Sequence, residues 1–526
     1  MDRTVITSVV IGAACLVLCA VGAGCAVSEC PVDSAFVIPM MVVGVASLVP
    51  VIAIWIAAFV DSRRSTKTID EQVPLVAASA AARIPVYMYA SHFMSSWGDR
   101  MWQFAMPLLF MEIFVDTLLP SALFSLIVYV VGVLAVPSVG AWIDHTNRLR
   151  VMRVSILVEN GCIILSTVAL GCILFVLSSQ TATDERWSWP MLSLFGVVVV
   201  AGAIGQTYTD AQTLSIEQDW VVVVARATRT SLGTWNTTLR RIDLICKLIS
   251  PPVFGLIMDF AGSDPMIRAA TGAAVVGVWN LLSAPLEYCM RVDTYLLVPE
   301  LHEQPSQAKK KPSVNCSQYL ASWKEYYDHR TFLVSISFCA LYMSVLTGGA
   351  LNIAYLQWRG VPQAILGLSS GLGGLFGLLG TVVFPIMVSC LGSIERVSLW
   401  SVWLFWLTLV PVWVACVWYG ESPFTDYIMM AAVLLSRVWL WACDLAETQI
   451  MQEYVEPDRR GAINSMQNAT SKLFFIAMLL VGVFFSDPRE FVALVTVSVG
   501  AVLLASIGFS VWYTRYVLVN VRQSRE

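Results

Sequence analysis

Between residues 84 and 518 the chain alternates long apolar runs with short polar breaks, and each run is long enough to cross a bilayer as a helix. The runs fall near 84–114, 118–143, 151–178, 188–215, 232–260 and 266–290, then near 331–356, 361–391, 395–419, 425–452, 462–485 and 490–518. Between the two sets, over about 291–328, lies a stretch rich in Lys, Gln, Ser and Pro with no apolar periodicity, which reads as a flexible tether. Six spans, a linker and six more spans predict two helical lobes. The division is an N-terminal segment 1–82, a first lobe 83–290, a linker 291–330, a second lobe 331–520 and a tail 521–526. Two further apolar runs, Val5 to Val27 and Phe36 to Val60, precede the body, and Asp61-Ser62-Arg63-Arg64 closes the second. They predict a membrane hairpin. The alternative is a cleaved signal over residues 1–28, with Asp2-Arg3 as a weakly basic leader and small residues around Ala23 and Ala26.

Composition places these runs in a membrane. Of 526 residues, 57% are hydrophobic and 13% charged, against roughly 25% charged in soluble domains. The net charge of −4 offers no basic field for nucleic acid. The 13 cysteines are scattered, without a CxxC pair. Those in apolar runs (Cys162, Cys172, Cys246, Cys339, Cys390, Cys416, Cys443) read as inert buried thiols, and Cys15, Cys19, Cys25 and Cys30 leave a lumenal bridge open. Basic residues are unevenly placed. Arg148, Arg150, Arg153, Arg226, Arg229, Lys309-Lys310-Lys311, Arg396, Arg459 and Arg460 fall in alternate loops, while the others hold little beyond Arg186, Arg359 and Arg489. That asymmetry predicts both ends of the twelve-span body in the cytoplasm.

Charges within the spans carry the chemistry. Asp99 and Arg100 sit deep in the first run, where each costs roughly 2.5–3.5 kcal/mol unless it faces a polar interior. Asp99 and Gln103, four apart, share a helix face and suit a cation; alternatively Asp99 pairs with an arginine from another span. Glu159 and Asn160 lie in the third span, Asn280 and Glu287 in the sixth, although Glu287 also reads as a solvated interfacial group. Such oxygen-rich, thiol-poor groups suit Ca²⁺, Mg²⁺ or Mn²⁺. In the fifth span Arg240, Arg241, Asp243 and Lys247 read as internal ion pairs or as a gate. Gly140-Ala-Trp-Ile-Asp144-His-Thr-Asn-Arg148-Leu-Arg150 has the G-x-x-x-D…R-x-R pattern of the major facilitator loop, in which Asp144 and Arg148 would clasp helix ends on the cytoplasmic face. Gly348-Gly349 predicts either a break in the seventh span or close helix packing. Asp444 and Glu447 share a face of the tenth, as a cation site or as partners of Arg437 or Arg459-Arg460.

Taken together the chain resembles the ferroportins, the solute carrier family 40 iron exporters of the major facilitator superfamily. The matching strings include His92-Phe-Met-Ser-Ser-Trp-Gly-Asp-Arg-Met-Trp102, Asp144-His-Thr-Asn-Arg148, Gln218-Asp-Trp-Val-Val-Val-Val-Ala225 and Asn236-Thr-Thr-Leu-Arg-Arg-Ile-Asp243. Further matches are Trp279-Asn-Leu-Leu-Ser283, Glu287-Tyr288, Leu341-Tyr-Met-Ser-Val-Leu346, Asp444-Leu445, Thr448-Gln449 and Arg460-Gly-Ala-Ile-Asn-Ser-Met-Gln-Asn468. They run across most of residues 83–520 and leave out the first 80. The resemblance implies that Asp99 binds the transported metal and that Asp243 is needed for transport. It also implies a calcium site at Asp99, Glu159, Asn160, Asn280 and Glu287, with Glu159 where animal members have glutamine.

Three departures bear on the metal. Gln103 replaces the family histidine one turn after the aspartate, Ala350 replaces the seventh-helix cysteine, and no histidine occurs around Ala505 to Gly508. Softer ligands for Fe²⁺ are therefore missing, and hepcidin control is not expected. Asn352, Asp444 and Glu447 are the candidates for a second-lobe site. The expectation is an all-α polytopic carrier, not an enzyme. It has the twelve-helix major facilitator fold plus two N-terminal hydrophobic helices, and it exports Fe²⁺ or another divalent ion (Mn²⁺, Co²⁺, Ca²⁺) from the cytosol by alternating access. The inner gate would comprise Asp144, Arg148, Arg240, Arg241 and Asp243. The expected partners are the metal and membrane lipid, the state a monomer, and the location the plasma membrane or alternatively a vacuolar or other endomembrane. Runner-up readings are a carrier of organic solutes and a non-transporting receptor or scaffold.

Overall fold

The computed structural model describes residues 83–179, 188–230, 232–302, 323–456 and 460–518; among these, helices account for the regular structure and no strand occurs. The N-terminal hairpin or signal, the first four cysteines, the lysine run and the tail lie outside the described residues.

The first half contains α1 (Arg83–Ile113), α2 (Leu119–His145), α3 (Arg148–Ser179), α4 (Trp189–Ser215), α5 (Leu232–Phe260) and α6 (Pro265–Leu297). In the second half come α7a (Phe332–Ala340), α7b (Ala350–Trp358), α8 (Gln363–Leu391), α9 (Ile394–Trp418), α10 (Pro423–Tyr454), α11 (Arg460–Phe484) and α12 (Phe491–Trp512). The order reproduces the six-and-six pattern of apolar runs. Helix α6 continues past the end of its apolar run at 290 to Leu297, because Arg291 and Asp293 interrupt the hydropathy without breaking the helix.

Local chemistry sets several boundaries. Asp264 caps α6 by accepting a bond from the Met266 amide, with Pro265 at the first helical position. Ser393 and Ser422 cap α9 and α10 in the same way. Gly392, at φ 72°, ends α8 in the left-handed region that glycine tolerates. The seventh span is broken: residues 341–349 leave the helix between α7a and α7b, and Gly348 has φ 66°.

Eight helices (α3, α4, α6 and α8 through α12) are long and apolar enough to cross a membrane by length and composition. The charges of α1 and α5 and the break in α7 set three of the other spans apart, and α5 and the broken α7 contribute lining to an internal cavity. The outer surface is apolar, with Leu134, Val168, Val200 and Leu504 turned outward, as expected of a lipid-facing wall. Trp189, Phe260, Trp418, Phe424 and Phe484 stand exposed at the helix ends remote from the linker, an arrangement suited to a membrane–water interface.

Within the first half, α1 packs on α5 and α6, α3 on α4 and α6, and α2 on α4. Within the second, α9 packs on α10 and α12, α8 on α10, and α7a on α11 and α12. The halves meet where α5 lies against α8, α2 against α11 and α7b against α1. The α5–α8 seam runs backbone to backbone. A Cβ on Gly255 would lie 2.2 Å from the Gln363 carbonyl oxygen, and one on Gly367 would lie 2.4 Å from that of Pro251.

Candidate metal site and gates

Four helices of the first half converge on Asp99. Gly98 lets α6 approach: a Cβ there would lie 3.2 Å from the Trp279 indole and 3.5 Å from Asn280 Oδ1. Asp99 itself is half-buried, and its carboxylate lies within hydrogen-bonding reach of Glu159. Glu159, Asn160, Asn280 and Glu287 are 4%, 5%, 4% and 2% exposed, so Glu287 is not the solvated group its position near a helix end allowed.

Both asparagines spend their N–H groups on their own helices. Asn160 Nδ2 donates to the Ile156 carbonyl at 2.8 Å, and Asn280 Nδ2 donates to that of Val276 at 2.9 Å. Their amide oxygens remain available as acceptors. Gln212, from α4, donates through Nε2 to Glu287 Oε1 and to Ser95 Oγ at 3.1 Å. Among the described residues, its own Oε1 and Glu159 Oε2 are buried without a hydrogen-bond partner. Buried acceptors left unpaired cost free energy, and a cation is the partner that satisfies several at once.

Among the described residues, no three His, Cys, Asp or Glu side chains stand in metal-holding geometry by themselves. Any ion here must draw on amide oxygens as well as carboxylates. That donor set is hard and oxygen-only.

Gln212 and its neighbour Asp210 were not singled out from sequence. The signal was present: from Gln206 to Thr213 the end of an apolar run turns polar, with Asp210 and Gln212 inside that stretch. Gln103 is exposed on α1, where its Oε1 accepts from Arg100 Nη1 at 3.2 Å. Asp99 makes no ion pair among the described residues. Its neighbour Arg100 does, donating to Asp243 Oδ2 at 3.2 Å, and Arg240 Nη1 stands 3.8 Å from the same oxygen. Asp243 thus ties α1 to α5, while Arg241 lies exposed on α5.

On the linker side Arg148, 9% exposed, grips Asp219 with two bonds, Nε to Oδ2 at 2.6 Å and Nη2 to Oδ1 at 2.9 Å. Asp219 reaches it from the π-helical turn Ile216–Trp220 that follows α4, anchored by the fully buried Trp220. The Asp144 side chain is not among those described.

The opposite end is fastened between the halves. Glu112, 8% exposed on α1, accepts from Arg268 of α6 at 2.9 Å, Gln357 of α7b at 3.0 Å and Gln363 of α8 at 2.6 Å. The Asp259 carboxylate, on α5, caps α8 by accepting from the Gln363 and Ala364 amides at 3.1 and 2.8 Å. Trp358 Nε1 donates to Asp116 at 2.8 Å, and the Leu118 amide to the Ser486 carbonyl at 2.7 Å. Among the described residues the hydrogen bonds joining the halves all lie at this linker-remote end. The molecule is closed there.

In the second half Asn352 donates to Met429 Sδ at 3.2 Å and lines the internal cavity. Glu447, 2% exposed, accepts from Gln467 at 2.7 Å; Asp444 is half-buried one turn before it, and neither pairs with Arg437 among the described residues. Ala350 is the first residue of α7b, and Ala505 and Ser506 are buried within the half.

This architecture has known counterparts. The family model described as Ferroportin1 (FPN1) matches residues 82–502. Solute carrier family 40 member 1 of Oryza sativa subsp. japonica is 30% identical over 432 residues, covering 78% of this chain and 87% of that protein. Among solved structures, a bacterial homologue of the iron transporter ferroportin in its inward-facing state is 26% identical with a TM-score of 0.71, covering 82% of this chain and 99% of that one. The outward-facing state of such a homologue, 27% identical, gives 0.54 over 82% and 100% of the two chains. The better superposition is on the inward-facing state, which agrees with closure at the linker-remote end. A family match across nearly the whole described body, carried by a two-lobed carrier fold with its charges turned to the centre, makes this chain an integral multi-pass membrane protein of the ferroportin family.

Proposed function

We propose that the chain exports a divalent metal, ferrous iron first among them, from the cytosol by alternating access, with Asp99 and Glu159 as the anionic core of its binding site. The observation carrying this reading is the pair of adjacent carboxylates within a membrane-spanning half, with Glu159 Oε2, and Gln212 Oε1 next to Glu287, buried without hydrogen-bond partners among the described residues. Asn160, Asn280, Glu287 and Gln103 are the further oxygen donors proposed. The family and its bacterial iron-transporter homologues support iron as cargo. The oxygen-only donor set supports Mn²⁺, Co²⁺ or Ca²⁺ alongside it, and Ca²⁺ as a bound activator of the same site.

In this reading the described conformation is inward-facing. Metal enters from the linker side past the Arg100–Asp243–Arg240 cluster and the Arg148–Asp219 clasp, in which Asp144 and Arg241 also take part. The Glu112 and Asp259 latches then release while the linker side closes. The chain acts as a monomer in lipid, without hepcidin control, in the plasma membrane or an endomembrane. The test is a panel of divalent metals in proteoliposomes, wild type beside Asp99→Ala. Uptake of at least one metal by wild type and its loss in the variant is expected. No movement of any metal by wild type under either gradient refutes the reading.

A further inference from the structure

A cavity of about 140 Å³, sharing no lining residue with the Asp99 cluster, is walled by the α7 break, α7b, α8 and α10 of the second half and reached from the first half by Lys247 of α5. Its charged lining residues are Lys247, from α5 of the first half, and Arg437, from α10 of the second; no carboxylate is among them. Thr347, Ser369 and Ser370 add hydroxyls, and Gly348 brings the start of α7b to the wall. A Cβ on Gly348 would lie 3.5 Å from Arg437 Nη2, so the guanidinium stands beside the N-terminus of α7b.

The electrostatics of this arrangement are unbalanced. A helix N-terminus carries a partial positive charge, so a guanidinium beside it is repelled, and a lysine across the same cavity adds to the repulsion. Among the described residues neither cation forms an ion pair. The acid facing Lys247 is Asp243, one turn earlier on α5, and it is already shared by Arg100 at 3.2 Å and Arg240 at 3.8 Å. On α10, Asp444 and Glu447 form no pair with Arg437 among the described residues. Positive groups gathered in a membrane interior without a counter-charge are stabilised by an anion, and a half-helix N-terminus at a broken span is where carriers receive anionic groups. The same cations repel a divalent metal, so Asn352 lines a wall suited to the opposite charge.

We propose that this cavity binds a small oxyanion, of phosphate or short polycarboxylate size, held by Arg437, Lys247, the α7b amides and the surrounding hydroxyls. The volume admits about four to five waters' worth of ligand. Because Lys247 and Arg437 come from different halves, the bound anion bridges them and favours the conformation in which both face it. This goes beyond metal export, and it is tested without metal.

The experiment is calorimetric titration of the purified full chain in detergent with inorganic phosphate and, separately, citrate, with chloride as control. The variants are Arg437→Gln and Lys247→Gln; Lys247 is exposed, so its replacement spares the fold. Saturable binding of phosphate or citrate is expected in wild type, weakened about tenfold or more in each variant, with thermal melting of Lys247→Gln unchanged. The two probes separate an inorganic from an organic ligand. Absence of saturable binding to wild type, or binding by the variants as tight as that of wild type, overturns the proposal. Metal uptake by wild type is measured separately, so failure of this site and failure of the transport reading are distinguishable.

Discussion

Replacing Glu159 with glutamine removes one charge from the Asp99 pair while keeping shape and a donor oxygen, and it should move two properties in opposite directions. In the metal-free protein the two carboxyl groups repel whenever both are ionised; unit charges about 4 Å apart interact by about 4 kcal/mol at an effective dielectric of 20, and a proton shared between them relieves much of this. Rearrangement and water on the half-exposed Asp99 side reduce this, so Glu159→Gln should stabilise the empty protein by about 1–2 kcal/mol and raise its melting temperature. For the bound state the sign reverses. A doubly charged ion gains about 8 kcal/mol, before desolvation, from a carboxylate at the same distance and dielectric. Much of that is repaid in stripping water from both charges and in the amide oxygen that remains. The expected weakening in Kd is about 10- to 1000-fold, or about 1.4–4 kcal/mol. The assay is thermal melting in detergent across a series of divalent metals, in which ligand-induced stabilisation reports affinity. A purely structural role for Glu159 predicts a lower metal-free melting point and an unchanged metal-induced shift. That result would refute the reasoning.

Other predictions address the gates. Asp219→Asn removes the anionic partner that the 9%-exposed Arg148 grips with two bonds, leaving it its bond to the Leu301 carbonyl, and should cost about 2 kcal/mol, less than the full penalty for a broken buried pair because Asp219 is partly exposed; adding Arg148→Met should restore part of it in a denaturation cycle. Glu112→Gln weakens the linker-remote latch by about 1–3 kcal/mol, so a cysteine introduced at Ser369 should label faster from that face; unchanged labelling would remove Glu112 from the latch. Gly255→Ala places a methyl 2.2 Å from the Gln363 carbonyl, which should prevent closure and abolish uptake while leaving a folded protein. Wild-type turnover in that variant would show that α5 and α8 can separate at little cost.

Much of the fold was legible because bilayer-length apolar runs are a signal that each helix carries alone. The break in α7 was legible as one of two alternatives, since Gly348-Gly349 weakens a helix whatever surrounds it. Asp99, Glu159 and Asn160 stood out because charge and amide groups are costly in such runs. Partnerships were not legible. The loop pattern marked Arg148 as a residue that clasps a helix end, but it did not reveal Asp219 as a partner, which is delivered by a π turn that hydropathy does not encode. Glu112 sits alone in Leu108–Phe114, a visible anomaly, yet its partners come from α6, α7b and α8. Gln212 acquires its meaning from Glu287 and Ser95 on other helices. Such meaning exists only after packing.

The backbone-to-backbone seam between α5 and α8 has a consequence for how tightly the carrier keeps its two sides apart. Side chains can slide and re-rotamer to fill a half-opened gap, but two main chains in contact through glycine have no such adjustable filler. The seam is either fully shut or plainly parted, so a partial stroke finds no resting place. A protein that moves ions one way across a membrane needs that property, because a gap lingering ajar would let the gradient run back.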